Sequence, residues 1–272
     1  MDLNTITAVL RPQARHDLAW RVGDGFLAGG SWMFSEPQPE LRRLVDLIGL
    51  GWPALRHDAF GLEIAATCRI AELHGFEAPA DWSALTLVAP CCDALLGSFK
   101  IWNVATVGGN ICLALPAGPM TALAVALDGT ATIWIPDGRD RQQKIIDLVL
   151  GDRLTTLEAG EILRCIRLPA AHLRRRVAFR QISLSPLGRS TALLIGTIGN
   201  DGDFELTITA STARPVRLDF AAHPTAHDLS AAIDTHVTAW FDDVHGAPDW
   251  RRLMTLRLAE EIRRELAGAS CA

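Results

Sequence analysis

The sequence predicts an α+β fold, and three observations carry that reading. Strand-like and helix-like runs both occur, but without the regular strand–helix alternation of a doubly wound parallel sheet. Two glycine pairs, Gly29-Gly30 and Gly108-Gly109, each follow a short apolar run and precede a small polar residue. Beyond residue 170 the pattern becomes a succession of strand-like runs followed by helices.

Composition bounds the function. With 272 residues, 49% hydrophobic and 21% charged, the chain can bury one large core or two smaller ones. The net charge of −5 comes from interspersed signs, so no basic stripe argues for nucleic acid. The run Arg174-Arg175-Arg176 reads as a solvated strand end. No stretch is long and apolar enough to span a membrane. Met1-Asp2-Leu3-Asn4 has neither a basic n-region nor an apolar h-region, so no signal peptide is expected and a cytoplasmic location is. Cysteines 68, 91, 92, 112, 165 and 271 show no CxxC spacing and read as reduced, buried thiols. They include no iron–sulfur ligand run.

Taken in order, residues 6–10 read as a strand and 14–21 as a polar helix. Leu27-Ala28 should be a buried strand running into Gly29-Gly30, and Ser35–Pro39 a proline-braked loop. Apolar residues at 41, 44, 45 and 48 have helical spacing. Residues 55–58 and 62–66 bracket Gly61 as a hairpin, and Thr67 is the expected N-cap of a helix through Leu73, closed by Gly75. Residues 81–96 read as a helix kinked or divided by Pro90. Residues 102–105 are expected as a strand leading into the second glycine pair, and 116–127 as a buried helix ended by Gly129. Strands follow at 130–135 and 162–168, the first closed by the turn Pro136-Asp137-Gly138 and the second by Pro169. Further strands are expected at 177–182, 192–198 and 204–211, with Asn200-Asp201-Gly202 as a hairpin turn. Helices are expected at 228–233 and 249–266, the latter with Trp250, Leu253, Leu256, Ile262 and Leu266 on one face.

No GxGxxG or P-loop pattern occurs, the eight histidines lack metal-ligand spacing, and no serine or cysteine has a nucleophile context. No catalytic side chain and no metal ligand can be named. If the chain serves an enzyme, a cofactor does the hard chemistry. Each glycine pair admits two readings: a structural turn, or a concavity whose backbone N–H groups bind an anion. Two of them in one chain suggest a bipartite phosphate cradle.

The segments LAGGS (27–31), ATVGGN (105–110) and GEIL through Leu168-Pro169 occur in an order and spacing that resembles a known family. It is the FAD-binding (medium) subunit of molybdenum hydroxylases, the group of the carbon monoxide dehydrogenase flavoprotein and the xanthine dehydrogenase FAD domain. The resemblance implies a two-part FAD-binding domain of the PCMH/vanillyl-alcohol-oxidase type at 1–169, with parts at about 1–50 and 51–169. It implies a C-terminal domain of small antiparallel sheet plus helices at 170–272. The cofactor implied is FAD, held through Leu27, Ala28, Gly29, Gly30, Ser31 and Trp32 and through Thr106, Val107, Gly108, Gly109 and Asn110. Ile111 and Leu163 match residues facing the flavin, or else pack an ordinary core. Arg180 matches a flavin-side lysine, or else is a surface arginine.

The implied function is electron transfer from a [2Fe-2S] small subunit through FAD to NAD or another acceptor. A molybdenum-cofactor large subunit would oxidise the substrate, in a heterotrimer or a dimer of heterotrimers. Two departures stand out: Trp32 where relatives carry an aspartate after the first glycine pair, and Pro119 where they carry one after the second. A flavin-free structural subunit of the same complex and a stand-alone FAD oxidoreductase are the other readings.

Overall fold

In the computed structural model, residues 3–268 are described, and Cys271 lies outside them. Residues 3–50 contain a small parallel sheet in the order β1 (Ala8–Leu10), β3 (Arg43–Asp46), β2 (Asp24–Leu27). The expected helix around 40–47 is thus the central strand β3. Its apolar spacing fits either structure, and pairing decides: β3 is hydrogen-bonded on both edges and buries Leu44 and Val45. Arg43 grips Asp24 on β2 through one guanidinium edge, Nε and Nη2 donating to the two carboxylate oxygens at 2.8 and 2.6 Å. The expected helix at 14–21 is only a 3-10 turn at Arg15–Asp17.

The second sheet is antiparallel. It contains β4 (Leu55–Asp58), β5 (Gly61–Ala65), β6 (Thr130–Trp134), β7 (Asp140–Lys144) and β10 (Ile162–Pro169), in the order β4-β5-β10-β6-β7. A register shift between Leu163 and Cys165 explains why β10 alternates imperfectly. One face of this sheet meets the parallel sheet through Val45, Leu47 and Ile162. The other packs on short helices: α1 (Ile70–His74), α2 (Val88–Asp93), α3 (Phe99–Trp102), α4 (Val107–Leu113), α5 (Pro119–Ala126) and α6 (Ile145–Leu148).

Three expectations for these helices change. The N-cap of α1 is Arg69, whose N–H is taken by Glu72, so Thr67 is not the cap. The segment 81–96 does divide, but ahead of Pro90: a 3-10 turn at Ser83–Leu87 passes into α2, and Pro90 occupies its first turn, where no N–H is missed. The expected lead strand at 102–105 is the end of α3 and a connector with one isolated bridge, Arg69 to Thr106.

After a small hairpin of β8 (Val149–Gly151) and β9 (Leu154–Thr155), β10 leads through α7 (Ala170–Leu173) to a third sheet. It is an antiparallel meander of β11 (Arg176–Ser183), β12 (Ser190–Ile198), β13 (Phe204–Thr209) and β14 (Val216–Phe220). Gly202, at φ +84°, makes the β12–β13 turn. α8 (Ala226–His236) and α9 (Pro248–Gly268) cover one face. The inward face of α9 runs through Arg251, Met254, Leu258, Ile262 and Leu266, while Leu253 is 57% exposed and Trp250 36%. Of the expected stripe, Leu256, Ile262 and Leu266 pack inward, while Trp250 and Leu253 face out and Arg251 and Met254 take their place. Gly196 on β12 lets α9 approach, since a Cβ there would fall 2.2 Å from Ile262 Cγ2. No described helix is long and apolar enough to cross a membrane.

Candidate functional site

The chain leaves β2 at Leu27 and turns sharply at the first glycine pair. The two glycines serve different ends. Gly30 sits at φ +71°, a conformation costly for any residue with a Cβ. At Gly29 the Cβ direction is already filled by the Val104 carbonyl oxygen, 1.7 Å away, so the loop lies directly on the connector before α4. Phe34 N–H donates to Gly30 O and Ser35 N–H to Trp32 O, both at 2.9 Å, closing the loop. Among the described residues, the N–H groups of Gly29, Gly30, Ser31 and Trp32 have no protein acceptor, nor has the Ser31 hydroxyl a partner.

The second glycine pair is not a turn but the first turn of α4. Thr106 is the N-cap, its Oγ1 accepting from Gly109 N–H at 3.1 Å. Val107 N–H donates to Cys68 O and Gly108 N–H to Ala66 O, at 2.9 and 3.0 Å, so these donors face inward. Gly108 is there for close packing: a Cβ would fall 2.4 Å from Ala66 Cβ. Asn110 Oδ1 accepts from Met120 N–H at 3.0 Å and so caps α5. Pro119, at the first position of α5, forfeits an N–H that would have had no intrahelical partner.

Together these segments wall a cleft of about 810 Å³. Leu27, Ala28, Gly29, Gly30, Ser31, Trp32, Thr106, Gly109 and Asn110 line it. Val107, Gly108, Ile111 and Leu163 lie instead in the core beneath, and Ile111 is fully buried. Arg180 stands apart on β11, paired with Glu261 and Glu265 of α9 at 3.2 and 2.6 Å. Two further residues reach the cleft: Arg189, just before β12, and His245, between α8 and α9. Each lies in an irregular segment with no local motif, so only the tertiary fold reveals them. Cys112 also lines the cleft and is exposed, unlike the buried thiols at 68, 91, 92 and 165. Burial pushes the Cys68 thiol up to about 12, with Glu72 and Cys92 adding to the shift.

The cleft lining contains no carboxylate. Unpartnered backbone donors, glycines that leave no Cβ in the way and an acid-free wall suit a dianionic diphosphate. Trp32 is held by the Arg153 guanidinium, 5.0 Å above its ring. A second cavity of about 450 Å³ lies between the first two sheets and shares Phe26 as a wall with the cleft. Trp20 and Trp134 line it, and Arg15, tied to Asp140 at 2.6 Å, stacks over Trp134 at 4.6 Å.

Comparison with known proteins agrees with this geometry. The family described as the FAD binding domain in molybdopterin dehydrogenase matches residues 19–171, more than half of the chain. A xanthine dehydrogenase from Oryza sativa subsp. japonica is 32% identical over 115 residues, which is 40% of this chain and 8% of that protein. The chain thus spans under a tenth of that relative's length. Three solved structures share the fold. Carbon monoxide dehydrogenase from Hydrogenophaga pseudoflava matches with a TM-score of 0.80 at 21% identity, covering 98% of this chain and 99% of that one. Quinoline 2-oxidoreductase from Pseudomonas putida 86 matches at 0.81 and 16%, covering 100% of both. Reconstituted carbon monoxide dehydrogenase from Oligotropha carboxidovorans matches at 0.81 and 22%, covering 97% and 99%. A parallel three-stranded sheet, an antiparallel five-stranded sheet and a glycine-lined cleft between the first loop and α4, with the family match across that region, place the chain in the FAD-binding family of the molybdopterin dehydrogenases, with FAD as its cofactor.

Proposed function

We propose that this chain is the FAD-holding electron-transfer subunit of a cytoplasmic molybdenum hydroxylase, relaying electrons from a [2Fe-2S] partner to NAD or another acceptor. A large molybdenum-cofactor subunit would carry the substrate chemistry, in a heterotrimer or its dimer. The observation that carries the reading is the row of free N–H groups from Gly29 to Trp32 in an acid-free cleft. When bound, FAD supplies the redox chemistry. The loop's N–H groups and the Ser31 hydroxyl would bind its diphosphate. Thr106, Gly109 and Asn110 would line the opposite wall, with Asn110 free to donate through Nδ2 while Oδ1 caps α5. The aromatic cavity beyond Phe26 is assigned to the adenine end. Residues 1–169 are proposed as the cofactor-binding unit and 170–272 as a second unit that closes the cleft with Arg189 and His245.

Both departures from the family pattern have local reasons: Pro119 opens α5, and Trp32 stacks with Arg153. The test is purification of the tagged chain from its native host, with metal analysis. Two accompanying chains carrying iron and molybdenum are expected. A chain that purifies alone, without either metal, would refute the complex.

A further inference from the structure

The cation expected beside the flavin was Arg180, and it is engaged elsewhere by Glu261 and Glu265. We propose that Arg189 fills that role, as the fixed positive charge this chain sets beside the flavin ring. The assignment rests on the FAD reading above. Arg189 is the one arginine or lysine lining the cleft among the described residues, and no carboxylate lines it. It makes no ion pair and no side-chain hydrogen bond within the described residues, so its donors are free for a ligand. The loop at Gly29–Trp32 already offers donors for a diphosphate, which leaves Arg189 for the other group that gains negative charge.

The position of Arg189 is fixed by its neighbours rather than by its own contacts. Ser190 and Thr191, which follow it into β12, are 1% and 0% exposed. Gln181 donates to Ser190 Oγ at 2.9 Å, and Thr191 Oγ1 donates to His245 O at 2.6 Å. Beneath them lies Arg251, a guanidinium only 1% exposed. It donates to Thr191 O, Ala210 O and Gly246 O at 2.6, 2.5 and 2.8 Å and pairs with Asp243. One buried arginine therefore staples together the two segments that present Arg189 and His245. Arg251 is a positioning residue, because it touches neither cleft nor ligand.

The chemistry follows from charge. When bound, FAD would supply two-electron redox chemistry, and reduction with uptake of one proton would leave its ring with one negative charge. A nearby cation stabilises that state over the neutral oxidised ring and raises the midpoint potential.

The test uses the full chain loaded with FAD, as wild type, Arg189→Gln and Arg180→Gln. Midpoint potentials are read by spectroelectrochemical titration, and the Kd for oxidised FAD by fluorescence quenching. Arg189→Gln should lower the potential by about 30 mV, the equivalent of a tenfold loss in relative affinity for the reduced flavin. Its Kd for oxidised FAD should stay near the wild-type value, and Arg180→Gln should leave the potential unchanged. An unshifted potential in Arg189→Gln overturns the assignment. So does a weakened Kd with an unshifted potential, which makes Arg189 a diphosphate ligand. A wild-type chain that takes up no FAD overturns the underlying reading, and this assignment with it.

Discussion

Replacing Gly29 with alanine tests whether the first glycine loop is built by close approach to the connector before α4. The new Cβ would stand 1.7 Å from Val104 O and 2.7 Å from its carbonyl carbon. Those are backbone atoms, so no rotamer change relieves the clash and one segment must move. Overpacking of this kind costs about 1–3 kcal/mol where side chains can shift, and the upper end applies here. A loss of about 3 kcal/mol is a large share of the 5–15 kcal/mol that typical proteins have, and lowers Tm by roughly 6–12 °C. The moved loop also loses its aligned N–H groups, so FAD affinity falls with it. Gly202→Ala is the control. Gly202 needs a positive φ, +84°, and no atom lies within 4 Å of its Cβ position. The strain of the left-handed conformation alone, about 1–2 kcal/mol, is expected there, with FAD binding unchanged. Denaturant unfolding and FAD titration of both variants decide the matter. The reasoning fails if Gly29→Ala is no less stable than Gly202→Ala and still binds FAD like the wild type.

Three other perturbations follow from the same geometry. Thr106→Val removes the N-cap of α4, costs about 1 kcal/mol and weakens FAD binding, which unfolding and titration measure together. Arg251→Met leaves the Asp243 carboxylate and three carbonyls without their donor, an expected loss of about 3–5 kcal/mol in urea unfolding. The third concerns pH. The Arg43 hydrogen bonds hold the Asp24 carboxyl below its ordinary value of 3.8, against the opposing effect of burial. A depressed folded-state value means that the stabilisation is complete above 3.8 and is lost as pH falls through the folded-state value. Asp24→Asn should therefore lose less stability than the wild type on acidification below that point, and parallel stability–pH curves would contradict the linkage.

The sequence made some elements plain and hid others for physical reasons. Hairpins with strong turn chemistry, such as the one through Asn200-Asp201-Gly202, are specified locally and stand where expected. The strand β3 was hidden because its apolar spacing suits a helix equally, and only pairing with β1 and β2 selects the strand. The second glycine pair was misread as a turn because Gly-Gly is ambiguous. Its true cause is a helix start pressed on Ala66, a contact 42 residues away in the chain. At the site, the first loop was legible because its special φ and bare backbone leave a mark in the sequence. Arg189 and His245 were not, because the tertiary fold carries them to the cleft from unremarkable segments before β12 and between α8 and α9. Arg180 shows the converse: a motif match points to it, but the acidic residues of α9 hold it away from the cleft.

The central claim is that this chain by itself holds FAD in the cleft between the first glycine loop and α4. The most direct measurement is the visible absorption spectrum of the purified wild-type chain, followed by that of the protein-free supernatant after denaturation. The account predicts a flavin spectrum at about one FAD per chain, with FAD released intact. A colourless protein that also takes up no added FAD would contradict it.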